Sequence, residues 1–140
     1  QHLLYYQVIV KIIELEENDW PNLQYRSCIL AGYGWNIKSP TYNLHMSALY
    51  ATQGCRCIDN HRIICAKPFE EGDAPCHGDS GGILVCSNKG VAIASQHIPT
   101  NYCSTMSKKI PKHCSKKYTI YLFAYLKPQL YWLKPTLRSY

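Results

Sequence analysis

The chain has 140 residues, of which 46% are hydrophobic and 17% charged, and a formal net charge of +6. That length supports one domain with a real core, and the composition excludes a disordered chain. No apolar run reaches the length of a membrane span, and the opening stretch, with Lys11 and Glu14 and no basic leader, does not have the form of a signal peptide.

Short apolar runs bounded by Gly, Pro, Asn and Ser recur along the chain: Val8–Ile13, Cys28–Ala31, Ser47–Ala51, Ile63–Ala66, Ile83–Cys86, Val91–Ala94 and Tyr118–Phe123. Their length and β-branched content predict strands of an all-β sandwich or barrel. Asn88-Lys89-Gly90 reads as a tight hairpin connection between two of them. The last segment changes period. Leu126, Leu130, Leu133 and Leu137 form a helical stripe, Pro128 suits a first turn, and Pro135 is expected to stop the helix about two turns later. With no linker or repeat in view, a single domain with a short C-terminal helix is expected.

Eight cysteines, at 28, 55, 57, 65, 76, 86, 103 and 114, are many for this length. Their even number on a loop-rich chain points to disulfides and an oxidising compartment, so a secreted, extracellular protein is expected. Cys55, Cys57, His61 and Cys65 cluster in sequence, but their spacings fit no common zinc pattern. No motif implies a metal or an organic cofactor. Charge is also unevenly placed, since all nine acidic residues lie at or before Asp79. Beyond it, Lys108, Lys109, Lys112, Lys116 and Lys117 crowd one stretch. Lys108–Lys117 is therefore a candidate surface for an acidic glycan or protein, beside the plainer reading of a solvated loop. Nucleic acid is disfavoured by the cysteine usage and the lack of a binding motif.

The chemistry concentrates in Cys76-His77-Gly78-Asp79-Ser80-Gly81-Gly82. A serine nucleophile needs an exposed hydroxyl on a tight turn, with backbone N–H groups aimed at the developing oxyanion. Flanking glycines allow that backbone and keep side chains off the substrate carbonyl. A neighbouring aspartate can hold the turn, and a disulfide at Cys76 can pin it.

This segment resembles the nucleophile loop of the trypsin/chymotrypsin-like serine proteases, which reads Gly-Asp-Ser-Gly-Gly after a cysteine. The resemblance extends over nearly the whole chain, in family order. Cys28-Ile29-Leu30-Ala31-Gly32-Tyr33-Gly34 is similar to the family's Cys-x-x-x-Gly-Trp-Gly, and Ile63-Ile64-Cys65-Ala66 to the strand entering the specificity pocket. Gly90–Ser95 is similar to the strand that ends at a buried serine. Tyr118-Thr119, followed by Trp132-Leu133, resembles the closing strand and terminal helix.

The resemblance implies a C-terminal antiparallel Greek-key β-barrel of the chymotrypsin-like fold over residues 1–140. It implies Ser80 as nucleophile, the N–H groups of Gly78 and Ser80 as oxyanion hole, and Asp79 as acceptor of the ammonium created by activation cleavage. Ala74, His77, Ser95, Gln96 and His97 fall at substrate-binding positions. Implied disulfides are Cys28–Cys86 and Cys76–Cys103, with Cys65 bonded to Cys55 or Cys57 and the leftover of those two bonded to Cys114. The chain departs from the pattern where Gln96-His97 replaces Trp-Gly and Ile83 replaces a proline. It departs again where Ala74 replaces the aspartate of trypsin-type pockets, with Asp73 one place off, and where Lys116-Lys117 replaces a pocket-lining Gly-Val.

The family's histidine and aspartate lie in Thr-Ala-Ala-His-Cys-like and Asp-Ile-Ala-Leu-like segments of a first barrel, and neither occurs in these 140 residues. His2, His45, His61 and His113 fall in expected loops or termini, His77 at the rim of the substrate cleft and His97 among the residues lining its wall. Two main readings stay open. The chain is part of a serine endopeptidase acting on peptides or proteins, inactive alone, or it is a secreted non-catalytic homologue that serves as a binding or cofactor module. A self-contained half-barrel is a third.

Overall fold

Alternation decides the sheet. In β1 (Arg26–Gly32), Cys28 and Leu30 are buried while Ser27, Ile29 and Ala31 face out. In β2 (His45–Gln53), Ser47, Leu49 and Ala51 are buried and Met46, Ala48 and Tyr50 exposed. A strand hides only every second residue when one face meets the core. The computed structural model describes residues 11–22, 24–36, 43–107, 109, 114 and 117–138.

The remaining strands are β3 (Ile63–Pro68), β4 (Ile83–Cys86), β5 (Lys89–Pro99) and β6 (Thr119–Tyr125). All pairings are antiparallel, and the order β1-β2-β3-β6-β5-β4 closes into a barrel through the β1–β4 ladder. Closure removes the edges that would otherwise template aggregation. The fold class is thus the all-β barrel with a C-terminal helix that the sequence implied. Its interior holds Leu30, Leu49, Ile64, Leu84, Val91 and Phe123. Strand β6 is buried on both sides, because Ile120 and Leu122 pack outward against Cys65 and Ile98 while Tyr121, Phe123 and Tyr125 point inward.

Three expected elements come out differently. Residues 11–14 form no strand, Val8 to Val10 lie outside the described residues, and Leu15 instead makes a bridge to Gly90. The β4–β5 hairpin turns at Ser87 and Asn88, both with positive φ, leaving Lys89 and Gly90 inside β5. Positive φ at both central positions is the geometry that matches the strand twist. Pro135 does not end the final helix. A 3₁₀ turn at Lys127–Gln129 leads into α2 (Leu130–Leu137), which continues through Pro135. In so short a helix, Pro135 forgoes only its own N–H bond to the carbonyl four residues back. The leucine stripe grades from buried Leu126 and Leu130 to exposed Leu137. A single-turn helix, α1 (Tyr102–Thr105), lies between β5 and β6.

The four bridges are Cys28–Cys86, Cys55–Cys65, Cys57–Cys103 and Cys76–Cys114. The first is the implied pair, and Cys65 takes Cys55. The other two overturn Cys76–Cys103 and the bridge to Cys114. Cys103, on α1, lies beside Cys57, whose own N–H is 3.2 Å from the Cys103 sulfur.

The segment before β1 straps one end of the barrel. Glu16 N–H donates to Gly90 O and Gly90 N–H to Glu14 O. Glu16 pairs with Arg26 at 3.3 Å and Lys89 at 3.9 Å. Trp20 is buried edge-on against Tyr125, its ring covered by the Arg26 guanidinium. Lys127 pairs with Asp19 and Lys134 with Glu17, tying the C-terminal helical segment to the strap.

Candidate active site

The nucleophile turn joins β3 to β4 and is built from main-chain bonds. Asp79 N–H donates to Cys76 O at 3.1 Å and Gly82 N–H to Asp79 O at 3.0 Å. Gly81 N–H reaches Ala94 O, and Ala94 N–H returns to Gly82 O, so the turn is stitched to β5. Gly78 has φ +102 and its position sits 3.1 Å from Gly34 Cα once a Cβ is added, so only glycine fits without strain.

Asp79 points inward. Its Oδ1 accepts the Gly34 N–H and its Oδ2 the Cys76 N–H, each at 2.9 Å. Charge-assisted bonds of this kind are stronger than neutral ones. A second strut is Trp35 N–H to His77 O at 2.8 Å. Behind Asp79 lies a small void of about 10 Å³ lined by Leu30, Gly32, Gly34, Asn36, His45 and Ser47 among others.

Ser80 is left exposed on the outer side of this turn. It borders an open cleft of about 230 Å³, shared with Pro75, Cys76, His77, Asp79, Ala94, Ser95, Gln96, His97, Tyr121, Leu122 and Phe123. Among the described residues, neither the Gly78 nor the Ser80 N–H is spent on a backbone carbonyl. The implied site residues His77, Ser95, Gln96 and His97 thus meet Ser80 in one cleft. Ala74 does not line it; buried, it faces the void behind Asp79.

The family model for trypsin matches residues 6–121. The chain belongs to the trypsin family. Compared with the curated proteins it has no significant match. Family membership makes serine-protease chemistry the frame for the cleft, with protein or peptide as substrate class. The four disulfides fit an oxidising compartment. Among the described residues no helix is long and apolar enough to cross a membrane.

The cleft departs from the family-based expectation in two respects. Ser95 is exposed, and it is the extra residue of a bulge in β5, between Ala94 paired with Phe123 and Gln96 paired with Leu122. Bulges next to active sites re-aim side chains. The strand then runs on to Pro99 rather than ending at this serine. Beside Gln96 and His97, their ladder partners Leu122 and Tyr121 on β6 also line the cleft. Lys117 is exposed against the Tyr118 ring and does not line the cleft, while Lys116 lies outside the described residues. Tyr121, an aromatic ring at the cleft, was not among the residues expected there, and it stands with Leu122 where Lys116-Lys117 was expected.

His97 is half-buried, and its ring stands 5.9 Å from that of His77 and 6.0 Å from that of Tyr121. Burial, and then the nearby His77, hold its proton affinity below the usual imidazole value. Of the lysine-rich stretch, Lys109 and Lys117 are exposed; Lys108, Lys112 and Lys116 lie outside the described residues.

Proposed function

We propose that the chain is the C-terminal barrel of a secreted trypsin-like serine endopeptidase, with Ser80 as the nucleophile. One observation carries the reading: Asp79 is turned inward and bonded, which leaves Ser80 exposed at the cleft beside two unspent N–H groups. In this reading Ser80 Oγ attacks the scissile carbonyl, and the Gly78 and Ser80 N–H groups take the oxyanion. A serine hydroxyl needs a base to remove its proton and an acid to orient that base. Histidine and aspartate from a first barrel outside this sequence supply both, so the 140 residues alone do not hydrolyse peptides. In the same reading the Asp79 carboxylate, which accepts the Gly34 and Cys76 N–H groups, is the acceptor of the ammonium created by activation cleavage. Exposed apolar side chains on β1 and β2, Ile29, Met46 and Tyr50, with Tyr33 just after β1, suit cover by another domain.

A second reading, a non-catalytic homologue that binds a protein partner, draws on Tyr121, whose ring occupies one wall of the cleft and restricts a substrate side chain.

Fluorophosphonate labelling of the native material, read on a non-reducing gel, separates the two. The expected result is a labelled band well above 16.1 kDa with the adduct on Ser80. An abundant, folded product without an adduct overturns the enzyme reading in favour of the binding one.

A further inference from the structure

Two imidazoles stand close together where substrate would enter the cleft, and the proton transfer of the serine mechanism uses neither. His77 is exposed on the nucleophile turn, and His97 is half-buried on β5. Their ring centres are 5.9 Å apart with planes at 68°. An imidazole nitrogen binds Zn²⁺ at about 2.0–2.1 Å, which puts the ring centre roughly 3.2 Å from the ion. Two rings on one tetrahedral ion therefore have centres about 5.2 Å apart. The observed spacing is within roughly 1 Å of that value, a gap that rotation of the exposed His77 side chain closes.

We propose that His77 and His97 form a two-imidazole site for a borderline divalent transition-metal ion, Zn²⁺ or Cu²⁺, at the mouth of the cleft bordered by Ser80. Imidazole pairs suit these ions, whereas Mg²⁺ and Ca²⁺ require oxygen ligands that the pair lacks. His97 is half-buried, with its ring 6.0 Å from that of Tyr121, while His77 is exposed. The Cys76 and Cys114 sulfurs also lie near His77, all three ligand atoms falling within 4.8 Å. They are bonded to each other, however, and a disulfide offers no thiolate. The remaining coordination positions therefore face the open cleft and are filled by water or by a carboxylate ligand. An ion held there blocks the approach to Ser80. That consequence rests on the protease reading, but the binding itself does not.

The test is a titration of the oxidised 140-residue chain with ZnCl₂ by calorimetry and with CuCl₂ by electron paramagnetic resonance. One equivalent should bind, with a copper spectrum showing two nitrogen ligands. His77→Gln and His97→Gln should each weaken binding at least about tenfold, and the double variant should abolish it, whereas His61→Gln, outside the cleft, should change nothing. Near-UV circular dichroism checks the fold of each variant. If His97→Gln fails to fold, His77→Gln decides, because its side chain is exposed. Undiminished binding in His77→Gln or the double variant overturns the proposal. So does binding that appears only after reduction, which assigns the ion to Cys76, His77 and Cys114. Because the readout is binding and not hydrolysis, a failure here leaves the protease reading untouched.

Discussion

The carboxylate of Asp79 lies against the backbone of Gly34, accepting its N–H at 2.9 Å across a sequence separation of 45 residues. The fit leaves no room. A Cβ on Gly34 would fall 2.4 Å from Asp79 Cγ and Oδ2, and one on Gly32 would fall 2.0 Å from Oδ1. The Gly-x-Gly after β1 and the Asp-Ser of the nucleophile turn are therefore one structural unit, and the position of Ser80 depends on residues that never touch it.

Gly34→Ala should thus be costly. Its methyl group must push the carboxylate off two amide donors inside the fold, which predicts a loss of about 2–4 kcal/mol. Gly81→Ala is the informative contrast. Gly81 has φ +87, yet nothing lies within 4 Å of an added Cβ, so only backbone strain of about 1–2 kcal/mol applies. Urea denaturation of both variants checks the ranking. Equal losses would show that the close approach of Gly34 to Asp79 contributes nothing.

The disulfides offer a direct chemical check. Digestion without reduction should yield a peptide joining Cys76 to Cys114 and another joining Cys57 to Cys103, with none joining Cys76 to Cys103. Opening the Cys76–Cys114 bridge, as Cys76→Ser with Cys114→Ser, releases a loop of 38 residues and should cost about 3–4 kcal/mol. The nucleophile turn would then be held by Asp79, the Trp35 N–H bond to His77 O and the β5 bonds.

The strands, their rough limits and the nucleophile turn were legible because they rest on local chemistry: alternating burial, turn residues, and glycines beside a serine. Cys28–Cys86 was also legible, through the family resemblance, and the paired strands β1 and β4 do place the two residues opposite one another. What escaped depends on register between distant segments. Which residues of β6 reach the cleft is set by its register against β5, and without that register the wall formed by Tyr121 and Leu122 was given to lysines. The same ambiguity in the Cys103–Cys114 region exchanged two bridge partners. Pro135 misled for a different reason, since a proline in a two-turn helix has little ladder to break. The resemblance put His77 and His97 in one cleft, but their ring-to-ring approach could not be read, as their separation in sequence matches no ligand spacing.

Acid should loosen the strap before the barrel. Burial pushes the Glu16 carboxyl upward, but the Asn18 N–H and the Lys89 and Arg26 charges outweigh it and leave the group below its ordinary value of 4.5. A carboxyl depressed in the folded state binds its proton more readily when unfolded, so folding gains from it only while it is ionised. That gain is complete above about pH 4.5 and disappears as pH falls through the lower folded value. Glu16→Gln should therefore lower the urea midpoint at pH 7 and do less damage at pH 3. A variant equally damaging at both would assign Glu16 a packing role instead.

The strap's apolar anchor is Trp20, and its environment makes two contributions separable. The ring is 4% exposed, meets Tyr125 edge-on at 6.2 Å, and lies 5.1 Å from the Arg26 guanidinium carbon, while its Nε1 donates to Gln24 O at 3.0 Å. Trp20→Ala removes a large buried aromatic and should cost about 3–5 kcal/mol. Trp20→Phe keeps most of the ring contact but leaves the Gln24 carbonyl without its donor, so about 1–2 kcal/mol is expected. Arg26→Ala tests the cover over the ring and also strips Glu16 of a partner. Its effect should therefore fall on adding acid, as that of Glu16→Gln does, whereas the Trp20→Phe loss should not depend on pH. Measured as urea midpoints at pH 7 and pH 3, a pH-independent Arg26→Ala would mean that the cation acts on Trp20 alone.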